Sequence, residues 1–253
     1  TQTGDEYCRL GRSAVSIRFR GHDYYGDLNS MLPVAILAGG LAKRLRPITD
    51  DLPKALVPVA GRPFILRQLD YLKDQGFEQI VICTGYRAGQ IKDVVRDGSA
   101  SGLDVEYSED GETLLGTGGA IRKALPLLGR EFFVLYGDSF LPVDFSPVEQ
   151  AWREHALPGL MTVLRNADRW DTSNVLFERG KIIEYNKLEP RPDMQHIDYG
   201  IGVLSADVFD RCPSAEAFDL AVLYHELSTQ GLLGGFEVFD RFYEIGSVTG
   251  LAE

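Results

Sequence analysis

Cysteine is scarce in this chain of 253 residues, and its placement excludes several kinds of protein. The three cysteines, Cys8, Cys83 and Cys212, are widely separated and form no Cys-x-x-Cys pair. An odd number of scattered cysteines indicates neither a disulfide framework nor a zinc site made of cysteines. The pattern therefore favours a protein of the reducing cytoplasm.

Positive charge is also in short supply. The chain has 26 lysines and arginines against 37 aspartates and glutamates, which gives a formal net charge of −11. General nucleic-acid binders and proteins of anionic membrane surfaces usually display an extended basic face, so we predict neither partner here. No apolar run approaches the roughly eighteen residues of a membrane span, and the N-terminus lacks the apolar core of a signal peptide. We therefore expect a cytoplasmic protein, and the composition allows a homo-oligomer.

Two common phosphate-binding motifs are missing as well. The chain shows neither the P-loop pattern G-x-x-x-x-G-K-[ST] nor the dinucleotide pattern G-x-G-x-x-G at the expected turn, which disfavours nicotinamide and flavin enzymes. The turn present instead, in VAILAGGLAKRLRPITDDLPKALVPVAG (34–61), follows an apolar run with Gly39 and Gly40. Basic side chains come next, at Lys43, Arg44, Arg46 and Lys54. Backbone N–H groups exposed by glycine, together with positive side chains, suit a polyphosphate, whereas the bland alternative is a solvated basic loop.

Apolar runs alternate with amphipathic segments through the first half of the chain. Expected strands are 34–38, 79–84, 103–107 and 132–136, and expected helices are 63–76, 88–96 and 117–128. Strands that alternate with helices predict a parallel, doubly wound α/β sheet whose ligands bind at the carboxyl ends of the strands. After Asp144 the segments become short and alternating, which predicts a smaller antiparallel or mixed lid beside that sheet.

The stretch 34–61 resembles, over its whole length, the signature of the sugar-1-phosphate nucleotidylyltransferases. The matching parts are L-A-G-G, then R-L-x-P-x-T, then P-K-x-L-x-P-V and a glycine. The resemblance implies a Rossmann-like, doubly wound mixed sheet of the nucleotide-diphospho-sugar transferase type. It also implies an enzyme that joins a nucleoside triphosphate and a sugar 1-phosphate to give a nucleotide sugar and pyrophosphate. By the same resemblance, a set of residues would hold the nucleotide and its phosphates: Leu37, Ala38, Gly39, Gly40, Arg44 and Lys54. Arg44 would assist departure of pyrophosphate, and Lys54 would bridge the reacting phosphates.

A second glycine-rich turn, LLGTGGA (114–120), enters a predicted helix. Such a turn can bind an anion or let a flat base approach the backbone, and its alternative is an ordinary helix start capped by Thr117. The turn resembles the base-recognition loop of the family, which implies nucleotide contacts at Gly116, Thr117 and Gly118, with Gly85 after the second strand. Its L-G-T-G-G-A form is most similar to members that use GTP, including those acting on heptose 1-phosphate.

Two carboxylates are candidate ligands for Mg²⁺. Asp138 follows a buried strand in Y-G-D-S, where the alternative is a turn or cap aspartate. The resemblance makes Asp138 the metal aspartate of the family. It also makes Glu244, in F-Y-E-I-G, a longer substitute for the second metal carboxylate.

Sugar-phosphate contacts are expected in the second half. Lys187, in E-Y-N-K-L, lies where the family shows Glu-Lys-Pro, and the lysine of that motif binds the phosphate of the sugar phosphate. Asp198, Tyr199 and Gly200 stand where the family tends to have an Asn-x-Gly that binds the sugar, and the departure suggests an unusual sugar.

The expected organisation is an N-terminal extension at 1–31, of unknown role and carrying one alternating segment, and a catalytic domain at 32–253. The nucleotide-binding half would span 32–143 and the sugar-phosphate half 144–253. The favoured function is a Mg²⁺-dependent guanylyltransferase acting on a heptose or hexose 1-phosphate, in nucleotide-sugar synthesis for cell-surface polysaccharide. Two alternatives remain open: a uridylyltransferase acting on an amino-sugar 1-phosphate, and a non-catalytic nucleotide-binding subunit of the same fold.

Overall fold

The computed structural model describes residues 31–41, 43–212 and 217–252. The alternating segment near the N-terminus lies outside these described residues. The strands are β1 (Val34–Leu37), β2 (Pro58–Val59), β3 (Arg62–Pro63), β4 (Gln79–Thr84), β5 (Asp104–Glu109), β6 (Glu131–Tyr136), β7 (Ser139–Phe140), β8 (Gly159–Arg165), β9 (Val175–Glu178), β10 (Lys181–Tyr185), β11 (His196–Ser205), β12 (Leu233–Val238) and β13 (Tyr243–Glu244). The helices are α1 (Phe64–Asp74), α2 (Ala88–Val95), α3 (Gly116–Leu128), α4 (Ser146–His155), α5 (Leu220–Thr229) and α6 (Val248–Ala252). Short 3₁₀ helices lie at Lys43–Leu45, Lys54–Leu56, Ser99–Ser101 and Ala206–Arg211.

One nine-stranded sheet forms the centre of the described structure, in the order β5-β4-β1-β6-β11-β8-β12-β10-β9. Strand β1 lies between β4 and β6 and is parallel to both. The chain moves from β1 outward to β4 and β5 on one side, and then crosses back to β6 on the other. Such a reversal opens a crevice at the carboxyl ends of the strands, where α/β proteins bind their ligands.

Helices cover both faces of the sheet, because each presents an apolar stripe to it. On one face, α1, α2 and α4 bury residues such as Leu69, Ile91 and Val148. On the other, α3 and α5 bury residues such as Ile121 and Leu223. The predicted doubly wound α/β architecture is therefore confirmed. None of the described helices is both long and apolar enough to cross a membrane.

The second half of the chain was predicted to form a smaller lid beside the sheet, and the structure differs from that prediction. Its strands continue the same sheet, because β11 runs antiparallel to β6 with Ile201 opposite Leu135. Strand β12, which the sequence did not predict, is parallel to β8. Its sequence LGGFEV contains two adjacent glycines, which weaken a strand pattern. A Cβ on Gly235 would lie 2.6 Å from the Phe177 ring, so close packing explains the second of these glycines.

Candidate active site

A cavity of about 240 Å³ opens at the predicted crevice. It is bounded by the turn after β1, the turn after β6 and the start of α3. Its lining residues are Leu37, Ala38, Gly39, Gly40, Lys54, Ala55, Asp110, Leu114, Gly116, Thr117, Ala120, Tyr136, Gly137 and Asp138. The turns predicted from two separate glycine-rich motifs therefore meet at one site.

The first glycine turn is packed tightly against the end of β4. The amide of Tyr86 donates to the Gly39 carbonyl at 3.2 Å. A Cβ on Gly85 would lie 2.9 Å from that same carbonyl oxygen and 2.7 Å from Leu114 Cδ2. Only glycine fits there without a shift, since real Cβ atoms do not approach backbone so closely. Gly85 thus allows the two turns to touch, and it does not itself line the cavity.

Hydrogen bonds hold the basic loop that follows this turn at Asp50. The Tyr86 hydroxyl and the Arg87 guanidinium both donate to the Asp50 carbonyl at 2.9 Å. Leu45 is fully buried beneath the loop. Arg44 lies one residue earlier with an exposed side chain, outside the cavity lining. Arg44 is therefore not among the residues that bound the cavity.

A charged centre forms where Lys54 meets Asp138, with Lys54 Nζ at 2.5 Å from Asp138 Oδ2. Both side chains are about four-fifths buried, with relative exposures of 19% and 24%. The buried Gln68 holds the turn that carries Asp138, because its amide donates to the carbonyls of Tyr136 and Ser139 at 3.1 and 2.8 Å. Gln68 was not identified in the sequence analysis. The only indication of its role in the sequence is that it is a polar residue on the buried face of α1.

Glu244 reaches this centre through the small ladder between β7 and β13. Glu244 pairs with Ser139, and the Ile245 amide donates to the Asp138 carbonyl at 2.9 Å. A Cβ on Gly246 would lie 2.7 Å from Glu244 Oε2, and 3.2 Å from both Asp138 Oδ2 and Lys54 Nζ. Two carboxylate oxygens and one ammonium therefore face the same point beside Gly246, where no side chain intrudes.

The second glycine turn is engaged by a distant segment of the chain. Phe218 accepts hydrogen bonds at its carbonyl from the amides of Gly118 and Gly119, at 3.0 and 3.4 Å. A Cβ on Gly118 would lie 2.2 Å from the Phe218 ring, and one on Gly116 would lie 2.5 Å from the Phe218 carbonyl oxygen. Of the three residues expected to contact the nucleotide here, Gly116 and Thr117 line the cavity. The structure instead places Gly118 beneath Phe218, with its amide already bonded.

Lys187 is joined to this turn through Asp219. Lys187 Nζ lies 3.1 Å from Asp219 Oδ2, and the Thr117 hydroxyl donates to Asp219 Oδ1 at 2.9 Å. Burial alone would raise the pKa of Asp219. The hydrogen bonds from Ala221, Lys187 and Thr117, with the charge of Lys187, outweigh burial, so the net pKa is lowered. Asp219 is therefore an ionised bridge between the cavity wall and Lys187.

Asp110 is a cavity residue that sequence reasoning missed. It follows β5 directly, and its Oδ2 accepts a hydrogen bond from the Leu115 amide at 3.1 Å. Burial raises the pKa of its carboxyl, against the lowering effects of that bond and of Lys123. Asp110 could have been identified from its position at the carboxyl end of a strand, where α/β proteins bind their ligands.

Asp198 and Tyr199 lie on opposite faces of β11, as neighbours in a strand must. Asp198 Oδ1 accepts from the Gly200 amide at 3.0 Å, and burial raises the pKa of its carboxyl to about 6. Tyr199 is 1% exposed and packs edge-on against Phe242 at 6.0 Å. This corrects the expectation that both residues contact the sugar, because the Tyr199 side chain belongs to the core.

No histidine of the described residues lines the cavity. His225 contacts the Tyr185 carbonyl at 2.7 Å, and His196 contacts Glu237 at 3.2 Å. Both are engaged away from the cavity lining. Among the described residues, the cavity therefore offers charge and backbone dipoles and no imidazole.

A doubly wound sheet with two glycine turns, a lysine–carboxylate pair and a cavity at the switch point defines a nucleotide-binding α/β protein. The sequence at 34–182 matches the nucleotidyl transferase family, and the chain belongs to that family. Its relatives are named as sugar-phosphate nucleotidyltransferases, and this chain is an enzyme of that kind.

Two relatives illustrate the range of the family. D-glycero-alpha-D-manno-heptose 1-phosphate guanylyltransferase of Campylobacter jejuni is 32% identical over 192 residues, covering 76% of this chain and 84% of the relative. N-acetylmuramate alpha-1-phosphate uridylyltransferase of Neisseria meningitidis is 32% identical over 226 residues, covering 86% and 94%. The crystal structure of HddC from Yersinia pseudotuberculosis complexed with GMP-PN superposes with a TM-score of 0.74 at 25% identity, covering 88% and 97%. The nucleotide-diphospho-sugar transferase fold expected from the sequence is thus confirmed.

Proposed function

We propose that this enzyme transfers a guanylyl group from GTP to a heptose or hexose 1-phosphate, with release of pyrophosphate. The choice of GTP rests on Asp110, whose carboxylate lies in the cavity between the two glycine turns. The guanine edge offers two adjacent donors, N1–H and N2–H₂, and a carboxylate accepts both. A uracil offers a single N–H between two carbonyl oxygens, which a carboxylate repels.

The charged centre supports the chemistry of the transfer. Lys54 and Asp138 are paired at 2.5 Å, and Glu244 faces the same point beside Gly246. Mg²⁺ usually takes one or two protein carboxylates, and it completes its shell with water and substrate phosphate oxygens. Asp138 and Glu244 fit that donor set and would hold the ion. A bound Mg²⁺ would neutralise charge on the departing pyrophosphate.

The remaining roles follow from position. Lys54 would contact the reacting phosphates, and the exposed Arg44 of the basic loop would reach the triphosphate tail. Lys187, held by Asp219 at 3.1 Å, would bind the phosphate of the sugar phosphate. That phosphate is already an anionic nucleophile at neutral pH, so catalysis needs alignment and charge neutralisation and needs no general base.

A uridylyltransferase is the second candidate. It is favoured by the N-acetylmuramate alpha-1-phosphate uridylyltransferase of Neisseria meningitidis, of which this chain covers 94%. The two candidates differ in the base that faces Asp110, and they can therefore be separated directly.

The experiment is pyrophosphate release with Mg²⁺, measured for GTP, UTP, CTP and dTTP against a panel of sugar 1-phosphates. GTP should give the highest kcat/KM. Asp110→Asn should lower kcat/KM for GTP by roughly 10- to 100-fold, because hydrogen bonds to a charged group are lost. Glu112→Gln, an exposed change two residues away, is the matched control. Preference of the unmodified enzyme for UTP, or an Asp110→Asn variant with unchanged use of GTP, would contradict the assignment of guanine to Asp110.

A further inference from the structure

Gln68 is an uncharged polar side chain on the buried face of α1, with only 3% of the residue exposed. Its amide nitrogen donates to the carbonyls of Tyr136 and Ser139, which stand on either side of Gly137 and Asp138. Its side-chain oxygen has no hydrogen-bond partner among the described residues. Burying an amide costs free energy unless its polar atoms are bonded, so the cost is only partly offset here. An apolar side chain would avoid that cost, which indicates that Gln68 serves the turn.

The same turn is held by two other elements. Gly137 donates its amide to the Leu37 carbonyl at 3.0 Å, and a Cβ on Gly137 would lie 2.7 Å from that oxygen. The Asp138 carbonyl accepts the amide of Ile245 at 2.9 Å. The turn is therefore fixed by the end of β1, by the end of β13 and, through Gln68, by α1. The α1 contacts are made by a side chain, so a substitution can remove them without touching the backbone of the turn.

Helix α1 also begins beside the segment that carries Lys54. The amide of Phe64, the first residue of α1, donates to the Val57 carbonyl at 3.1 Å. Val57 directly follows the short 3₁₀ helix that starts at Lys54. Gln68 lies about one helical turn further along α1 and holds the turn of Asp138. Helix α1 is thus a common support for the two groups that pair at 2.5 Å, Lys54 Nζ and Asp138 Oδ2.

We infer that Gln68 is a positioning residue, which sets where the Asp138 carboxylate stands for a divalent metal ion. This inference rests on the proposed function, in which Asp138 holds Mg²⁺, and it adds a residue that lies outside the cavity lining. Mg²⁺ takes oxygen ligands in near-ideal octahedral geometry at roughly 2.1 Å, so a carboxylate displaced by a fraction of an ångström is a poorer ligand. Replacing a group that orients a metal ligand typically costs about 10- to 100-fold in metal affinity or activity.

The shape of Gln68 and its capacity to donate can be separated by substitution. Gln68→Glu keeps the size of the side chain, but it sets a carboxylate against two carbonyl oxygens, which have no hydrogen to donate to it. Gln68→Met has a similar length and removes both hydrogen bonds together with the unbonded oxygen. Packing alone would leave the methionine variant nearly silent, because methionine fills a similar space. Positioning through hydrogen bonds predicts a loss in both variants.

The test is calorimetric binding of GTP to the whole chain, once with Mg²⁺ and once with EDTA. UTP takes the place of GTP if the unmodified protein binds UTP more tightly. No sugar phosphate is added, so no transfer occurs, and the ratio of the two affinities measures what the metal contributes. Gln68→Glu and Gln68→Met should each lower the affinity with Mg²⁺ roughly 10-fold and leave the affinity in EDTA unchanged. A general structural defect would lower both affinities alike.

Gln75→Met is the matched control. It makes the same substitution in the residue that follows α1, where the Gln75 side-chain oxygen accepts the Phe145 amide at 3.0 Å. Gln75 is not among the residues that line the cavity. The variant should therefore leave the affinity for GTP unchanged, both with Mg²⁺ and in EDTA.

Unchanged affinity with Mg²⁺ in both Gln68 variants would overturn the inference, and so would an equal loss with Mg²⁺ and in EDTA. Thermal unfolding checks that each variant is folded. If the methionine variant does not fold, Gln68→Asn takes its place, because its amide is too short by one carbon to keep both bonds. Failure of the metal role in the proposed function looks different, since Mg²⁺ would then add as much affinity to Asp138→Asn as to the unmodified protein.

Discussion

Replacing Asp198 by asparagine should stabilise the protein at neutral pH while weakening its hold on the sugar. Burial raises the pKa of Asp198 from 3.8 to about 6, despite the opposing Gly200 amide and Lys187 charge. A raised pKa means that the folded state favours the protonated acid. The cost of ionisation is therefore absent below about pH 4, grows between about pH 4 and 6, and is complete above that range.

The magnitude follows from the pKa difference. About two pKa units correspond to about 3 kcal/mol of unfolding free energy. The side chain is only partly shielded, so we expect about 1–2 kcal/mol. The Gly200 amide donates to Asp198 Oδ1 at 3.0 Å, and the side-chain oxygen of asparagine can accept the same hydrogen bond. For a domain of this size the gain corresponds to roughly 3–6 °C in Tm.

Thermal unfolding of both proteins at pH 5 and pH 8 is the assay. Asp198→Asn should unfold at a higher temperature at pH 8, with a smaller advantage at pH 5, and its KM for mannose 1-phosphate should rise. Asp104→Asn, an exposed change on the edge strand β5, four strands from β11, should show neither effect. Equal or lower stability of Asp198→Asn at pH 8 would refute the reasoning, because the carboxylate would then be well solvated.

Three further predictions concern the charged groups of the site. Asp138→Asn should keep the fold and lose about 10²-fold or more in kcat for pyrophosphate release, and near-normal turnover at saturating Mg²⁺ would speak against a metal role. Lys54→Ala should lower kcat as well as nucleotide affinity, whereas Lys187→Ala should chiefly raise the KM for sugar phosphate. Equal effects of the two substitutions on kcat and on the KM for sugar phosphate would contradict these separate roles. Glu244→Gln should raise the Mg²⁺ concentration needed for half-maximal rate, while Glu244→Asp should be partly tolerated, and two silent substitutions would exclude Glu244 as a ligand.

Much of the first half could be predicted because its signals are local. The apolar runs at β1, β4 and β6 end in turns, and parallel strands bring such ends to one edge. The strand ends predicted that Gly39 and Asp138 lie at one edge, and the resemblance of 34–61 to the family added Lys54; all three line the cavity. The separation of Asp198 from Tyr199 was also open to prediction, since adjacent residues of a strand face opposite ways.

The contacts that could not be predicted join distant parts of the chain. Phe218 bonds Gly118 and Gly119 across about a hundred residues, and nothing in the local sequence around 218 indicates this. Asp110 gave only a weak signal, because a single carboxylate after a strand is common in turns. Glu244 reaches Asp138 through a two-residue ladder too short to show a pattern.

The contact with Phe218 limits which part of a nucleotide the second glycine turn can bind. The first free amides of a helix would ordinarily attract an anion, but the Phe218 carbonyl already accepts from Gly118 and Gly119. The triphosphate must then be held elsewhere, and the first glycine turn and Lys54 are the cavity groups suited to it. What α3 still offers the cavity is the backbone of Gly116 and Thr117, a flat surface for a base. The hydroxyl of Thr117 also donates a hydrogen bond to Asp219, and Asp219 is paired with Lys187. A shift of this turn when the base binds would therefore also move the carboxylate that holds Lys187.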